Sequence, residues 1–339
     1  MRFIFTLLFA VLMPIAAASA APRDFLSREA VGEWIDNYRA KPEPARVPLA
    51  LRALVKANAF KDPESSGFYV GFLAGVIGSD PQRAEALVNK LLPLPASDEW
   101  VLVRAVAYSG LPDWHRHLAK LATKLPTRRA MIGDYLSGKM HTLEKIGLDK
   151  NPGFFDKLHS KFGKQEPVPT DVSFGRNPEL LDTLWGYYFA TGKAWPVQRL
   201  ISILPWSKDN DSLDRLTIGS SAKFTLASNG SRYPDLLALL KRAQAQQPKD
   251  VTPILKDLIH AAETMQSPRI RKESIAAIDE LRRKGPGFQR KLSTWGYIGQ
   301  GAIALGCIGL AAAGAVVAGL PCVIGGAASS AVLNYWTAQ

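Results

Sequence analysis

The apolar residues between positions 180 and 242 most constrain the fold, because they follow the spacing of helices. The first helix there places its apolar side chains three and four residues apart, as one buried helix face requires. These side chains are Leu181, Leu184, Trp185, Tyr188 and Phe189. Gly192 ends this helix, and Pro196 suits the first turn of a second helix, which Pro205 ends. The segment therefore begins with a helical hairpin.

Two more helices are predicted in the same segment. A polar loop over residues 207–212 leads into a third helix over residues 216–226. Asn229 and Gly230 form the next predicted turn, since both residue types favour turns, and a fourth helix covers residues 233–243.

An earlier stretch, residues 67–125, carries similar landmarks in the same order. The matched pairs are Gly71 with Gly186, Pro81 with Pro196, Ser109–Gly110 with Asn229–Gly230, and Pro112–Asp113 with Pro234–Asp235. Gly and Pro bound helices in most helical proteins, so two interpretations stay open. The chain contains an internal duplication, or it contains two similar stretches of helical bundle.

The remaining chain is also predicted to be helical. Further helices are expected over residues 24–41, 47–59, 129–137, 154–162, 251–264 and 268–284. No stretch shows the alternation and hairpin turns of a sheet. The sequence therefore predicts an all-α fold of stacked helical hairpins, either α-solenoid-like or an irregular bundle. A linker at residues 164–178 divides it into helical halves at residues 21–163 and 179–291.

One short motif is shared with a known class of repeat proteins. The run Trp185-Gly186-Tyr187-Tyr188, followed by Ala190, resembles the small-residue and aromatic pattern of tetratricopeptide-like α-solenoids. The strict repeat length of that class is absent. The resemblance, which covers residues 67–284, implies a concave surface that holds protein or peptide partners.

Residues 1–20 have the features of a Sec signal peptide. Arg2 supplies the positive start, residues 3–15 supply the apolar segment, and Ala18-Ser19-Ala20 is a small-residue cleavage site. We therefore expect export to the periplasm or cell envelope, with secretion as an alternative.

The charge of the chain indicates the kind of surface it meets. Its formal net charge is +12, and outside the cytoplasm the available polyanions are lipid headgroups and cell-wall polymers rather than nucleic acid. The basic residues are scattered through the predicted helices. An anionic membrane surface is therefore one expected partner, and an ordinary solvated basic surface is the alternative.

The C-terminal segment, residues 292–339, contains no charged residue. Residues 302–320 hold only apolar residues, Gly and Cys, and as a helix they would span about 28 Å, close to a bilayer core. Small residues recur four positions apart. Ala302 precedes Gly306, and Gly309 and Gly314 each precede an Ala at this spacing. This spacing lets helices approach closely and predicts self-association in a membrane or a tight protein contact.

Three interpretations of this segment stay open. Leu320 precedes a Pro321 turn and a second apolar piece, and Trp295 and Trp336 stand at the two ends, as interface anchors do. The segment is a membrane anchor, a hairpin that inserts or oligomerises in a bilayer, or a hairpin packed on the helical body. The basic flank before it lies on the exported side, which disfavours a simple inner-membrane anchor.

The two cysteines, Cys307 and Cys322, distinguish these arrangements. In a straight helix over residues 302–318, Cys307 would lie about 18 Å from the turn, too far for a disulfide. An oxidising compartment favours pairing, which would break the helix near Gly309 or Gly314.

The sequence contains no complete catalytic or metal-binding motif. Glu64-Ser65 resembles the start of lytic transglycosylase active sites, which implies a general acid at Glu64, but the later motifs are absent. His115 and His117 are two residues apart on a predicted helix and are interpreted as basic surface. Asp209, Asp211 and Asp214 are interpreted as a solvated turn rather than a calcium loop.

From these features we expect an exported, non-enzymatic helical scaffold without cofactors or metals. It would bind an unknown protein or peptide and attach to a membrane through its C-terminal segment. The first alternative is a membrane-active secreted protein that inserts or oligomerises through residues 295–336. The second is a cell-wall lytic enzyme that uses Glu64.

Overall fold

The computed structural model describes residues 25–63, 65–145, 179–210 and 212–283, and within them every regular element is a helix. This confirms the all-α prediction. There are thirteen α-helices in these ranges: α1 Arg28–Tyr38, α2 Val47–Lys56, α3 Gly67–Ser79, α4 Ala84–Lys90, α5 Glu99–Ala107, α6 Trp114–Lys124, α7 Arg129–Leu136, α8 Glu179–Thr191, α9 Ala194–Ser202, α10 Leu213–Arg232, α11 Pro234–Gln244, α12 Thr252–Glu263 and α13 Ser267–Arg283. Short 3-10 helices cover Pro44–Arg46, Pro126–Arg128 and Leu204–Lys208.

The predicted helix ends agree best where Gly or Pro sets them. Gly192 adopts a left-handed conformation with φ +64°, and its N–H donates to the carbonyl of Tyr188 at 2.7 Å, so α8 ends as predicted. Gly110, with φ +70°, lies in the turn after α5. Pro196 lies in the first turn of α9. In each case the backbone preference of the residue suffices to set the boundary.

The predicted turn at Asn229–Gly230 is wrong, because α10 continues through both residues to Arg232. A Cβ on Gly230 would lie 3.2 Å from Cδ1 of Leu240 and 3.3 Å from Cβ of Ala262. The glycine therefore permits α11 and α12 to approach α10 closely. The chain turns instead at Tyr233, immediately before Pro234.

Helices α3 and α8 cross at the centre of the described body. Both are buried around most of their circumference. A Cβ on Gly71 would lie 1.9 Å from the carbonyl oxygen of Thr183, and a Cβ on Gly186 would lie 1.9 Å from the carbonyl oxygen of Phe68. Two backbones can approach this closely only where glycine removes the side chain.

The crossing is nearly two-fold symmetric. One shift of 115 residues relates Gly71 to Gly186 and Phe68 to Thr183. Gly71 contacts Thr183, and Gly186 contacts Phe68. Because the same shift relates Phe68 to Thr183, the two contacts are equivalent, as in an interface between two identical copies. The same shift relates the Pro-Glu pair at residues 63–64 to that at residues 178–179 in the sequence. The internal duplication and the alternative of two similar stretches of helical bundle both stay open.

Helix α10 organises the helices that follow α8. A Cβ on Gly219 would lie 2.3 Å from the backbone N of Ser207, so the 3-10 helix Leu204–Lys208 packs directly on α10. On another face, Nζ of Lys223 lies 2.9 Å from Oδ2 of Asp257, and Arg269 lies 2.8 Å from the other oxygen of that carboxylate. This charge network joins α10, α12 and α13.

Arg39, directly after α1, links this helix to the later helices. Its guanidinium lies 4.4 Å from the ring centroid of Tyr233 and contacts the rings of Tyr188 and Phe189 as well. It also donates two hydrogen bonds to the carboxylate of Asp235, at 2.9 and 3.0 Å. The Arg39 side chain is 9% exposed, so its charge is held between aromatic faces and one carboxylate.

Helices from both sides of residues 164–178 contribute to one continuous apolar core. The predicted signal peptide at residues 1–20, the linker at residues 164–178 and the apolar segment at residues 292–339 lie outside the described residues. Those assignments, and the stacking of hairpins into a solenoid, stay predictions.

We expect Gly71→Ala and Gly186→Ala each to destabilise the protein by about 1–3 kcal/mol, because the new methyl group would overlap a backbone carbonyl. The measurement is the free energy of unfolding from urea denaturation followed by circular dichroism.

The control for this pair is Gly133→Ala in α7, where a Cβ would meet no described atom within 4 Å. There we expect no loss, or a gain of about 0.5–1 kcal/mol from helix propensity. Equal effects at Gly71 and Gly133 would show that the crossing does not require glycine.

Arg39→Lys is expected to lower stability by about 1–2 kcal/mol, because an ammonium group cannot lie flat on three rings and bind a carboxylate with two parallel bonds. Exposed Arg52 on α2 provides the control, since Arg52→Lys should change the unfolding free energy by less than about 0.5 kcal/mol. A similarly small change at Arg39 would show that this side chain does not stabilise the contact between α1 and the later helices.

Candidate functional site

The functional residues predicted from the sequence lie outside the described residues. These are Glu64, the cysteines Cys307 and Cys322, the small and apolar positions Ala302, Gly306, Gly309, Gly314 and Leu320, and the flanking Trp295 and Trp336. Their assignments stay predictions.

The two histidines on α6 do point to different faces, but only one belongs to the surface. His115 is exposed and stacks on Trp114, with ring centroids 3.6 Å apart. His117 is 4% exposed, and its Nε2 lies 3.4 Å from Oδ1 of Asp113. The prediction of basic surface is therefore wrong for His117, because the apolar face of α6 carries this side chain into the core.

Asp209 contributes to the turn before α10. Its Oδ1 accepts a hydrogen bond from the backbone N–H of Ser212 at 2.8 Å, and its Oδ2 lies 3.1 Å from Nε of Arg215. These contacts are those of a residue that orders a helix start. They agree with the interpretation of this carboxylate as part of a turn.

A different group of residues forms the candidate site. We name it the Arg104 cluster, and its members come from the ends of three helices: Arg104 and Tyr108 from α5 and the residue after it, Tyr135 from α7, and Glu179 from α8. Sequence positions on both sides of residues 146–178 are thereby brought together. The cluster combines one cation, one carboxyl group and two phenols, and Asp182 lies beside Glu179 on α8.

The sequence of α5 places the cation. Residues four apart share a helix face, so Trp100, Arg104 and Tyr108 are aligned along α5. The Arg104 guanidinium lies 5.0 Å from the ring centroid of Trp100. Burial would lower the pKa of Arg104, but Tyr108, Tyr135 and Glu179 raise it beyond its usual value. Arg104 therefore stays charged and faces the rest of the cluster.

The two tyrosines form the buried wall of the cluster. Their rings meet edge to face with centroids 6.2 Å apart, and Tyr135 is only 1% exposed. Burial raises the pKa of both hydroxyl groups, so both remain protonated and can donate hydrogen bonds. The buried Tyr135 hydroxyl interacts with Tyr108 and Arg104, although neither contact has the geometry of a normal hydrogen bond.

Both carboxyl groups lie in the first turn of α8, where the helix dipole favours negative charge. The start of α3 packs against this turn, since a Cβ on Gly67 would lie 2.3 Å from the Glu179 carbonyl oxygen and 3.2 Å from Cβ of Asp182. Burial raises the pKa of Asp182 well above its usual value, and the like charge of Glu179 adds to the shift. Asp182 makes no ion pair within the described part of the chain.

Glu179 and Asp182 differ in the groups that act on them. Arg104 interacts with Glu179 and the two phenols. The pKa of Asp182, three residues further along α8, is raised by burial and by the like charge of Glu179, which favours its protonated form. The Arg104 cluster is therefore the candidate polar site among the described residues.

Sequence reasoning missed this cluster for an identifiable reason. Glu179 and Asp182 have the residue types that helix starts ordinarily carry, and Tyr108 and Tyr135 have ordinary core positions. Only the packing of α5, α7 and α8 brings them together. The spacing of Arg104 between Trp100 and Tyr108 on one helix face is the single local pattern that could have indicated it.

Within the described ranges, no group of three His, Cys, Asp or Glu side chains is placed to hold a metal ion. None of the helices there is both long and apolar enough to cross a bilayer. At the level that the fold defines, the described part is an all-helical body built on a glycine-lined crossing. Compared with protein-family models, curated proteins and solved structures, the chain matches none of them.

Asp182→Asn and Asp235→Asn should have opposite effects on stability, because their pKa values shift in opposite directions. The raised pKa of Asp182 means that its ionisation destabilises the folded state as the pH rises above about 4. The neutral Asp182→Asn variant should be more stable than wild type at pH 8, with the difference vanishing at acid pH. For Asp235, the hydrogen bonds from Arg39 lower the pKa, so Asp235→Asn should lose stability at pH 8.

The measurement is the unfolding free energy of both variants and the wild type between pH 3 and pH 8. Because the Asp235 side chain is 58% exposed, its loss should not exceed about 1 kcal/mol. A destabilised Asp182→Asn protein at pH 8 would show that the Asp182 carboxylate is paired in solution.

Proposed function

We propose that the protein is an exported, non-enzymatic helical scaffold that binds a protein or peptide partner and is attached to a membrane by residues 292–339. The observation that carries the membrane part is the absence of charge over those residues, next to a chain whose net charge is +12. An apolar run of this length needs lipid or a protein cover.

The described body supports the scaffold part of the proposal. Its apolar core runs through helices on both sides of residues 146–178, and Arg39 and the Lys223 network join elements that are distant in the sequence. Such a body can keep its shape without the C-terminal segment.

The basic residues before the apolar segment support attachment to an anionic surface. Arg283 at the end of α13 is exposed, and Lys284, Arg290 and Lys291 follow in the sequence. Each basic residue near an anionic membrane contributes about 1 kcal/mol of attraction. Attachment would therefore combine apolar insertion with charge.

A membrane-active protein is the alternative that a specific observation favours. Small residues four apart, such as Gly314 and Ala318, allow several copies of the segment to pack together in a bilayer. In that case residues 295–336 insert or oligomerise in the bilayer, and the helical body brings them to its surface.

Removal of residues 295–339 separates these two functions. We expect the truncated protein to keep its helical circular dichroism and its unfolding transition, and to move from the detergent-extracted membrane fraction to the soluble fraction. The full-length protein should remain in the membrane through a carbonate wash. Leakage of dye from anionic vesicles at submicromolar full-length protein would instead favour the membrane-active alternative.

A variant with Lys284, Arg290 and Lys291 changed to Gln provides the matched control. It keeps the apolar segment and removes only the basic flank, so it should resist carbonate but bind anionic vesicles more weakly than wild type. A full-length protein that is soluble without detergent, with Cys307 and Cys322 paired, would contradict membrane attachment.

A further inference from the structure

We propose that the outer face of α6 docks on the anionic lipid headgroups of a membrane and thereby sets the orientation of the helical body. We name this surface the α6 basic face. It consists of Arg116, Lys120 and Lys124 of α6, with Lys90 at the end of α4 and Arg129 at the start of α7. The inference deepens the proposed membrane attachment, on which it rests. Residues 292–339 would attach the chain, and the α6 basic face decides which side of the body meets the bilayer.

The cations of α6 form one row. Residues four apart share a helix face, so Arg116, Lys120 and Lys124 follow one another over about 12 Å, and all three are exposed. Among the described helices, α6 alone carries three Lys or Arg residues and no Asp or Glu. Like charges at this spacing repel each other, so the row does not stabilise the helix that carries it.

Helix α4 lies beside α6 and orders the row. Nζ of Lys120 donates to both carboxylate oxygens of Glu85, at 2.7 and 2.8 Å. Nζ of Lys124 donates to Oδ1 of Asn89 at 2.5 Å. The two contacts are four residues apart on each helix, so α4 and α6 run parallel here. Because the Asn89 amide is neutral, it holds Lys124 without cancelling its charge.

The α6 basic face carries more positive than negative charge. Two of its five cations are paired, since Asp113 binds Arg116 and Glu85 binds Lys120. The other three make no ion pair with a carboxylate in the ranges that the structure describes, which leaves an excess of three positive charges. One of these three, Arg129, donates from Nε to a backbone carbonyl of α6 at 3.2 Å and so stays against the last turn of that helix.

The residues between the cations favour lipid headgroups over an acidic polypeptide as the partner. The other exposed positions of α6 between Arg116 and Lys124 are Ala119 and Thr123, which are both small. Stable protein interfaces are built around large side chains, above all aromatic ones, that become buried. Adsorption to an anionic bilayer needs only the summed attraction of several cations. Attachment through residues 292–339 would keep the bilayer within reach of this face.

The test is amine acetylation of the full-length wild-type protein, with the rate at each lysine read by mass spectrometry. Vesicles of phosphatidylcholine alone are compared with vesicles that also contain phosphatidylglycerol. We expect Lys120 and Lys124 to react severalfold more slowly with the anionic vesicles at low salt. This protection should disappear at about 1 M NaCl, where charges are screened beyond about 3 Å.

Lys241 on α11 is the matched control residue. Its Nζ lies 2.6 Å from a carboxylate oxygen of Glu263 and its side chain is 49% exposed, whereas Nζ of Lys120 lies 2.7 Å from Glu85 and that side chain is 48% exposed. The acetylation rate of Lys241 should not depend on the charge of the vesicles. Equal protection of Lys241 and Lys120 would show that the whole basic surface adsorbs without a preferred orientation, and would overturn the proposal.

A pair of variants tests whether the row acts as a unit. The double variant Arg116→Gln and Lys124→Gln keeps Lys120 as the reporter, and its protection by anionic vesicles should be largely lost. The control variant, Arg242→Gln and Lys256→Gln, removes the same charge from exposed positions of α11 and α12 and should leave the protection of Lys120 unchanged. Protection that survives in the first variant, or is lost equally in both, would contradict the docking role of α6.

Two further results would overturn the proposal. One is an equal rate at Lys120 with both kinds of vesicle. The other is protection by soluble polyglutamate but not by anionic vesicles, which would identify an acidic polypeptide as the partner. Membrane attachment is measured separately, as flotation with the phosphatidylcholine vesicles, which carry no net charge. Loss of flotation contradicts the proposed function, whereas protection by the anionic vesicles tests the α6 basic face in either case.

Discussion

The contact between the backbones of α3 and α8 is the constraint on which the described structure depends. Because Gly71 and Gly186 lack side chains, the two helices cross at backbone contact and can be buried almost completely. Helices α1, α5 and α9 then pack around this pair. The glycines contribute no side-chain volume at the centre of the core. The large buried rings of Trp185, Phe68 and Phe189 fill the space around them.

An internal duplication would account for the near two-fold symmetry of this crossing. In an interface between identical surfaces, each favourable contact occurs twice, so one glycine in an ancestral unit would have supplied both close approaches. The two helices differ at their starts: α8 carries Glu179 and Asp182 in its first turn, whereas the shift of 115 residues relates Asp182 to Gly67 in α3. Asp182 therefore meets a bare backbone on its partner helix, and this contact contributes to its burial.

The helices could be predicted because local preferences decide them, whereas the site could not because packing decides it. Gly192 and Pro196 act through their own backbone geometry, so they set helix ends wherever they occur. Gly230 is also a glycine, but it lies inside a helix because Leu240 and Ala262 of other helices pack against it. The burial of His117 and the meeting of Arg104 with Glu179 likewise depend on residues far away in the sequence.

The two arginine sites show how the same chemistry leads to different roles. Arg39 lies among three rings and binds Asp235 with two hydrogen bonds, so its charge is fully compensated and it serves to join helices. Arg104 also lies on an aromatic ring, but the groups that act on its charge are Glu179 and the phenols of Tyr108 and Tyr135. The pKa of Asp182, near Glu179 on α8, is raised by burial and by the like charge of Glu179. Ionisation of Asp182 therefore weakens the fold, whereas ionisation of Asp235 beside Arg39 strengthens it.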